Sequence, residues 1–513
     1  MSADPQQLTG PDLAAGIPES QVREGEPLRG HAFGEAVLLA RAGGQLYATA
    51  ANCTHYGGPL EQGRQEGMSV HCPWHHARFD LATGAPQAPA LEPLACYALA
   101  RDAQGTVRVT GKRTPTAPAP REGPSSVLIV GGGAAGHCAA DMLRRQGYRG
   151  KVTVLSADES APYDRPNLSK DYLAGTAPEE WLPLRPAGLG AAKDVELRLS
   201  ARVTAIDARA REVTLADGTR LPYGALLLAT GAEPVKLEVP GAQLPHVHTL
   251  RSLADCRALI RSATSARRAL VVGASFIGLE AAAALRARGL EVDVVGHGAL
   301  PLQKVLGTEV GAFLRRLHEQ HGVRFHLPGA VRAIQGPERV ELEDGQELEA
   351  DLVLVGIGVR PSLQLAEAAG LALDRGVKTD AFLQTSAPGI WAAGDIARWP
   401  DARTGEALRV EHWVVAQRQG ETAALNMLGE RRPFSAVPFF WTVQHEVALA
   451  YVGHAARWDA VQVDGSLEAR DCTVRYLLGG RTVAALTVNR GKESLEIEAE
   501  LEREGARAGA GSR

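Results

Sequence analysis

Between about Ile17 and Gly111, short apolar runs such as Ala36-Val-Leu-Leu-Ala40 and Gln45-Leu-Tyr-Ala-Thr49 are separated by Gly-rich turns. Strand-length runs at that spacing predict a small all-β domain. The pattern stops at Lys112, and the segment to Pro124 carries four prolines in thirteen residues, which reads as a semi-rigid linker. Beyond it come the apolar run Val127-Leu-Ile-Val130, a Gly-rich turn, a helical stretch to Gly147 and the run Val152-Thr-Val-Leu155, together a βαβ unit. The same grammar returns at Ala269-Leu-Val-Val272, with a helix to about Arg288 and a strand at Val292-Asp-Val-Val295, so two dinucleotide folds are predicted. After about Pro433, strand-like runs at Phe439-Phe-Trp441, Val474 to Leu478 and Thr482 to Thr487 precede an acidic amphipathic stretch from Glu493 to Glu504. These predict a last domain of strands and a helix, frayed at its end.

A chain of 513 residues exceeds one hydrophobic core and is expected to divide into about three or four units. Its 55 Lys and Arg against 59 Asp and Glu include no basic block, so neither nucleic acid nor anionic lipid is an expected partner. The start MSADPQQLTG lacks a leader pattern, and no run approaches the ~18 apolar residues of a membrane span, which points to a cytoplasmic protein. The six cysteines, at 53, 72, 96, 138, 256 and 472, do not form a dense disulfide framework.

Cys53-Thr-His55 and Cys72-Pro-Trp-His75 give C-x-H and C-x2-H separated by sixteen residues. Each arm mixes a thiolate with an imidazole, whereas zinc fingers pair Cys with Cys and His with His. The pattern resembles the Rieske proteins, in which two Cys hold one iron of a 2Fe-2S cluster and two His hold the other. That resemblance implies Cys53, His55, Cys72 and His75 as ligands; by its spacing, the neighbouring His76 supports a ligand or lies at the surface. The quinol-oxidising Rieske proteins carry an additional cysteine on each arm and hydroxyl donors; the matching positions here are Gly58, Trp74, Ala77 and Phe79. Fewer donors imply a potential toward the low end of the Rieske range, about -150 mV.

Gly131-Gly-Gly133-Ala-Ala-Gly136 matches G-x-G-x-x-G after a strand and opening a helix, a cradle for a pyrophosphate, with Asp158 near the end of the next strand placed for a ribose. Ala229-Thr230-Gly231 and Ile390-Trp-Ala-Ala-Gly394-Asp395 look like the further fingerprints of two-dinucleotide flavoproteins, and the combination implies FAD. The second turn, Gly273-Ala-Ser275-Phe-Ile-Gly278-Leu-Glu280, has serine at the middle glycine and is expected to keep its pyrophosphate site. Neither an acid nor an Arg stands at Gly296-His297-Gly298, where the adenosine 2' position would be read. The coenzyme is therefore NADH or NADPH, with NADH favoured because positive charge is missing.

The phrases Pro162-Tyr-Asp-Arg165-Pro-Asn-Leu-Ser-Lys170, Leu250-Arg-Ser-Leu253, Val271 to Glu280, Gly356-Ile-Gly-Val-Arg-Pro361 and Val410-Glu-His-Trp413 resemble the ferredoxin reductases of bacterial oxygenases and apoptosis-inducing-factor-like proteins. With the N-terminal domain, the chain is similar to the Rieske-fused branch of that group. The resemblance implies that Arg165 and Lys170 reach FAD, that Lys170 pairs with Glu280 near flavin and nicotinamide, and that Trp413 and Phe440-Trp441 line the isoalloxazine and a docking face. Trp441 also reads as a core aromatic. Disulfide reductases share the fold, but no residue from Ser156 to Lys170 is cysteine, and Cys138, Cys256 and Cys472 read as buried structural thiols.

The expected architecture is multidomain: an all-β Rieske domain at 1–111, a linker at 112–124, Rossmann-like α/β FAD (125–245 and 373–432) and NAD(P)H (246–372) domains, and an α+β C-terminal domain at 433–513. The expected activity is NAD(P)H-dependent reduction of FAD, then of the chain's own cluster, then of a redox protein such as an oxygenase or cytochrome. An NADH oxidase and an NAD(H)-sensing signalling flavoprotein are the rival readings. Homodimer formation stays open.

Overall fold

The computed structural model describes residues 8–184 and 194–510. Residues 1–7 of the start searched for a leader, and 511–513 of the end expected to fray, lie outside the described residues.

The N-terminal β domain has two antiparallel sheets. Six strands run in the order Ile17–Pro18, Thr106–Lys112, Cys96–Arg101, Gln45–Ala50, Glu35–Ala42 and Leu28–Ala32, and four more run in chain order from Arg64–Glu66 to Pro86–Gln87. The uninterrupted apolar run in Glu35–Ala42 has a simple cause. Val37 and Leu39 point into one core while Leu38, Ala40 and Ala42 point into a second, so both faces of the strand are buried.

β1 (Ser126–Val130) is the middle strand of a five-stranded parallel sheet, ordered Glu196–Arg198, Lys151–Leu155, β1, Ala225–Leu228, Ile390–Ala392. Its last strand returns from far downstream, so this unit is discontinuous in sequence. α1 (Ala134–Arg145) follows β1. β2 (Arg268–Val272) is the middle strand of a second five-stranded parallel sheet, and α2 (Phe276–Ala287) follows it. α3 (Gln303–Gln320), kinked at Gly307, also belongs to this region.

α4 (Trp413–Met427) crosses α1 so closely that a Cβ on Gly420 would stand 2.1 Å from the Ala135 carbonyl oxygen. β3 (Phe439–Gln444) is an edge strand of a five-stranded antiparallel sheet, which α5 (Gly491–Ala510) accompanies. The expected multidomain α and β architecture is thus present. Among the described residues no helix is long and apolar enough to cross a membrane.

The proline-rich connection is anchored at both ends. Arg113 N–H bonds the Cys96 carbonyl at 2.8 Å, Arg121 N–H bonds the Gly147 carbonyl at 3.0 Å, and the Arg121 guanidinium meets Glu430 at 2.7 Å.

Candidate functional site

The two ligand arms are built on one kind of turn. In the first, Cys53 N–H donates to Gly58 O at 2.8 Å and Gly57 N–H to Cys53 O at 2.9 Å; in the second, Cys72 N–H donates to Ala77 O at 2.8 Å and His76 N–H to Cys72 O at 3.2 Å. The first turn uses glycine at its left-handed position (Gly57, φ 78°), the second a histidine (His76, φ 60°). A side chain there costs about 1–2 kcal/mol, so His76 must be held by something else.

The thiols of Cys53 and Cys72 face one another, and Nδ1 of His55 lies 3.2 Å from Nδ1 of His75. Among the described residues no three His, Cys, Asp or Glu side chains gather as ligands for one ion. One thiol pair beside one imidazole pair suits two irons with two ligands each, not a single tetrahedral ion. Burial pushes His55 down to about 4 and His75 well below its ordinary value, which leaves both rings in the neutral, ligating form. A Cβ at Gly58 would lie 2.7 Å from Cys72 Sγ, so a cysteine does not fit there without rearrangement.

A cavity of about 410 Å³ is lined by Gly131, Gly133, Asp158, Arg165, Lys170, Thr230, Gly231, Glu280, Asp395 and Trp413, so most of the residues expected at FAD come together. Gly131 (φ 114°) has no room for a side chain, because a Cβ would stand 2.1 Å from Ala229 O, and Gly136 packs the helix start against Gly131 O at 1.9 Å on the same measure. Gly133 opens toward the Arg165 guanidinium, 3.9 Å from its ideal Cβ, and no side chain caps α1. Free N–H groups at an open helix start fit a pyrophosphate. Asp158 accepts from the Tyr163 hydroxyl at 2.8 Å, while Asp395 pairs with Arg251 at 2.7 Å, a partner the sequence reading left without a role.

The second turn repeats the backbone: Gly273 has φ 116°, and a Cβ on Gly278 would meet Gly273 O at 2.0 Å. Ser275 does more than fit. Its hydroxyl accepts from Gly278 N–H at 3.1 Å and donates to Gly356 O at 2.8 Å, capping α2. Its Ser-x-x-Gly spacing from a strand end was the available signal. At Gly296 the space is tight, with an ideal Cβ 3.3 Å from Ala274 N.

Lys170 Nζ meets Glu280 Oε2 at 2.8 Å, as the resemblance implied, and Glu280 also accepts from Ser169 Oγ at 2.5 Å and Thr442 Oγ1 at 2.6 Å. Trp441 lines the same cavity. Its ring centroid stands 4.3 Å from that of His75 and 6.3 Å from that of His55, and Lys170 Nζ lies 6.0 Å from it. One aromatic side chain therefore touches both the cluster loops and the nucleotide cavity.

His76 is fully buried, which rules out the surface position allowed for it. It stacks on Phe439 at 3.8 Å, its Nδ1 donates to Glu498 Oε2 at 2.9 Å, and Ser494 Oγ donates to its Nε2 at 3.0 Å. Arg418 meets Glu498 at 2.6 Å and the His76 carbonyl at 3.0 Å, and Arg78 meets Glu498 at 3.3 Å and Glu502 at 2.5 Å. Burial alone would raise the Glu498 carboxyl, yet Arg418 and Arg78 hold it well below the usual carboxylate range. Nearby, Arg145 bonds the Pro86 carbonyl at 2.5 Å and Glu421 at 2.6 Å. This flank fixes the β domain to α1, α4 and α5.

The sequence profile described as pyridine nucleotide-disulphide oxidoreductase matches residues 125–420, flanked by a Rieske [2Fe-2S] domain at 14–98 and a reductase C-terminal domain at 439–508. The chain belongs to the pyridine nucleotide-disulphide oxidoreductase family. It is 34% identical over 478 residues to apoptosis-inducing factor 3 of Homo sapiens, covering 88% of this chain and 78% of that one. It is 39% identical over 370 residues to the anthranilate 1,2-dioxygenase system ferredoxin--NAD(+) reductase component of Burkholderia cepacia, covering 71% and 91%. The solved covalent complex of putidaredoxin reductase and putidaredoxin aligns with TM-score 0.72 and 35% identity over 75% of this chain and 94% of that one. This member of the family is an FAD-dependent NAD(P)H oxidoreductase of ferredoxin reductase type, with a Rieske 2Fe-2S domain fused at its N-terminus.

Proposed function

We propose that the chain carries electrons from NAD(P)H to its own 2Fe-2S cluster and from there to a partner redox protein such as an oxygenase or cytochrome. Bound FAD supplies the conversion of a two-electron hydride donor into single electrons. Gly131, Gly133 and Gly136 with Asp158, Arg165, Thr230, Gly231, Asp395 and Trp413 hold it in this reading. Gly273, Ser275 and Gly278 hold the coenzyme, and Lys170 and Glu280 set the charge between the two. Cys53, His55, Cys72 and His75 hold the cluster, at a potential near the low end of the Rieske range.

The observation that carries the reading is the 4.3 Å approach of the His75 and Trp441 rings, with Trp441 also in the nucleotide cavity. Tyr56, stacked on His55 at 4.1 Å and 42% exposed, gives the cluster loops an aromatic face toward solvent where an acceptor can approach. The reading keeps the division at 1–111, 112–124, 125–245 with 373–432, 246–372 and 433–513. It also keeps a cytoplasmic setting, where cysteines without disulfide partners are stable.

A second reading, an NAD(H)-sensing signalling flavoprotein, is favoured by the similarity to apoptosis-inducing factor 3 across both the Rieske and reductase regions. Stopped-flow spectroscopy separates the two. Fast cluster reduction after NADH mixing supports transfer, whereas a long-lived charge-transfer band beside an oxidised cluster supports sensing.

A further inference from the structure

Successive side chains of β3 point to opposite sides. Phe439 and Trp441 meet the β domain at His76 and His75, while Phe440, Thr442 and Gln444 meet Phe276, Glu280 and His318 of the second nucleotide-binding unit. On that second side the hydrogen bonds form one continuous line. Thr442 Oγ1 donates to Glu280 Oε1 at 2.6 Å, Gln444 Nε2 donates to Thr442 Oγ1 at 2.8 Å, His318 Nε2 donates to Gln444 Oε1 at 3.0 Å, and His445 Nε2 lies 3.3 Å from His318 Nδ1. Thr442, Gln444 and His318 are buried.

The direction of each bond follows from the inner end. A carboxylate carries no hydrogen, so the Thr442 hydroxyl must donate to it, and its lone pairs then take the Gln444 amide N–H. The Gln444 carbonyl is left to accept from His318 Nε2, so that nitrogen carries a hydrogen. Burial, which pushes His318 down to about 4, agrees with a neutral ring. An amide passes a proton along only by becoming an imidic acid, so this line is a poor conduit. It acts instead as a lock. Glu280 Oε1 faces a hydroxyl that the Gln444 amide holds in place from its other side. The other oxygen, Oε2, accepts from Ser169 and Lys170.

We propose that Thr442, Gln444 and His318 are positioning residues that hold the Glu280 carboxylate turned toward Lys170, and thereby set the charge beside the flavin. The proposal rests on the reading of Lys170 and Glu280 as the pair next to FAD. The charged and titratable groups facing Glu280 are Lys170 directly and His318 through Gln444 and Thr442; Ser169 and Thr442 themselves are neutral.

The test is an equilibrium redox titration of the flavin in the full-length holoprotein at pH 6 and pH 8, for Thr442→Val, Thr442→Ser and Glu280→Gln. Thr442→Val removes the bond that holds Glu280 Oε1, so the carboxylate is free to turn away and leaves Lys170 less compensated. The flavin potential moves positive at both pH values, and Thr442→Ser stays at the wild-type value. Glu280→Gln moves it further in the same direction. If Glu280→Gln leaves the potential unchanged, the reading of the pair beside FAD fails. If Glu280→Gln shifts it and Thr442→Val does not, the positioning role alone is overturned, as it is if Thr442→Val and Thr442→Ser shift it equally. Should Thr442→Val not fold, Gln444→Met provides the same test one bond further out, with a smaller positive shift expected and no shift counting against the lock.

Discussion

The β domain meets the rest of the chain in two regions of different character. At its tip the contact is aromatic, His75 and His55 against Trp441. On its flank it is ionic and buried, His76 and Arg78 against Arg418, Ser494, Glu498 and Glu502, with Arg145 and Glu421 beside Pro86 and Ala88. An aromatic pair is worth about 0.5–1.5 kcal/mol beyond its buried area. Removing one partner of a buried ion network costs about 3–5 kcal/mol, because the charges left behind have no water to turn to. The difference teaches a division of labour: the flank holds the domain, and the tip is left free for the crossing that the proposed electron path requires.

The most disruptive way to probe that division is to empty the tip. Cys72→Ser takes away one of the four proposed iron ligands, and the cluster's visible absorption and electron paramagnetic resonance signal are expected to vanish. FAD content and NADH-dependent ferricyanide reduction stay within about twofold of wild type, since the substitution lies within the β domain and touches neither the flank nor the nucleotide cavity. Loss of FAD in this variant would show that the tip also carries structure. The risk is real, because an ideal Cβ on Gly491 at the start of α5 lies 2.4 Å from the Pro73 carbonyl, one residue beyond Cys72.

Breaking the flank has the opposite signature. Glu498→Gln leaves Arg418 buried without its carboxylate and Arg78 with Glu502 alone, and a cost of about 3 kcal/mol is on the order of a hundredfold in docking. Both cofactors stay bound, cluster reduction slows by about that factor, and the connection near Arg121 becomes open to proteases. A variant with wild-type cluster reduction would mean that the flank is not what holds the domain.

How much of this was legible beforehand differs between the same two regions. The cluster ligands at the tip sit in short local motifs, and so do Gly131, Gly133 and Gly136, whose tight contacts are made within one turn or with the next strand. The pairing of Lys170 with Glu280 was available only by resemblance, because their segments meet only in the folded chain. The flank was invisible. His76, Arg418 and Glu498 lie on three separated segments, and a charged residue on a helix reads as a solvated face until its partner is known. Even the local clue at His76, a left-handed position where the first arm has Gly57, needs the backbone to be seen. β3 was ambiguous for another reason: Phe439-Phe-Trp441 shows no alternation, since both of its sides meet protein.

A milder change sharpens the role of the tip. Trp441→Leu keeps an apolar side chain but removes the ring between His75 and the nucleotide cavity. Docking and melting temperature should hardly move, while the cluster reduction that follows flavin reduction slows roughly tenfold, about 1.4 kcal/mol in barrier terms. Equal slowing of flavin reduction itself would place Trp441 in coenzyme binding and not in the crossing.

The smallest effect expected is none at all, and it tests both regions together. A tethered partner already has an effective concentration near millimolar, about a thousandfold above a micromolar protein solution, and a domain fixed by the flank exceeds even that. The rate of cluster reduction in the intact chain is therefore expected to stay constant when the protein is diluted a hundredfold. A separately expressed 1–112 domain mixed with a 120–513 reductase loses the tether but keeps both faces of the flank, so its cluster is reduced at a rate proportional to concentration at low concentrations. That rate should level off toward the intact value as the flank saturates. Glu498→Gln in the reductase piece should push the saturation point up by about the hundredfold assigned to the flank. If the intact chain itself shows second-order cluster reduction, the electrons cross between molecules, and the tip of each β domain serves the cavity of a neighbour.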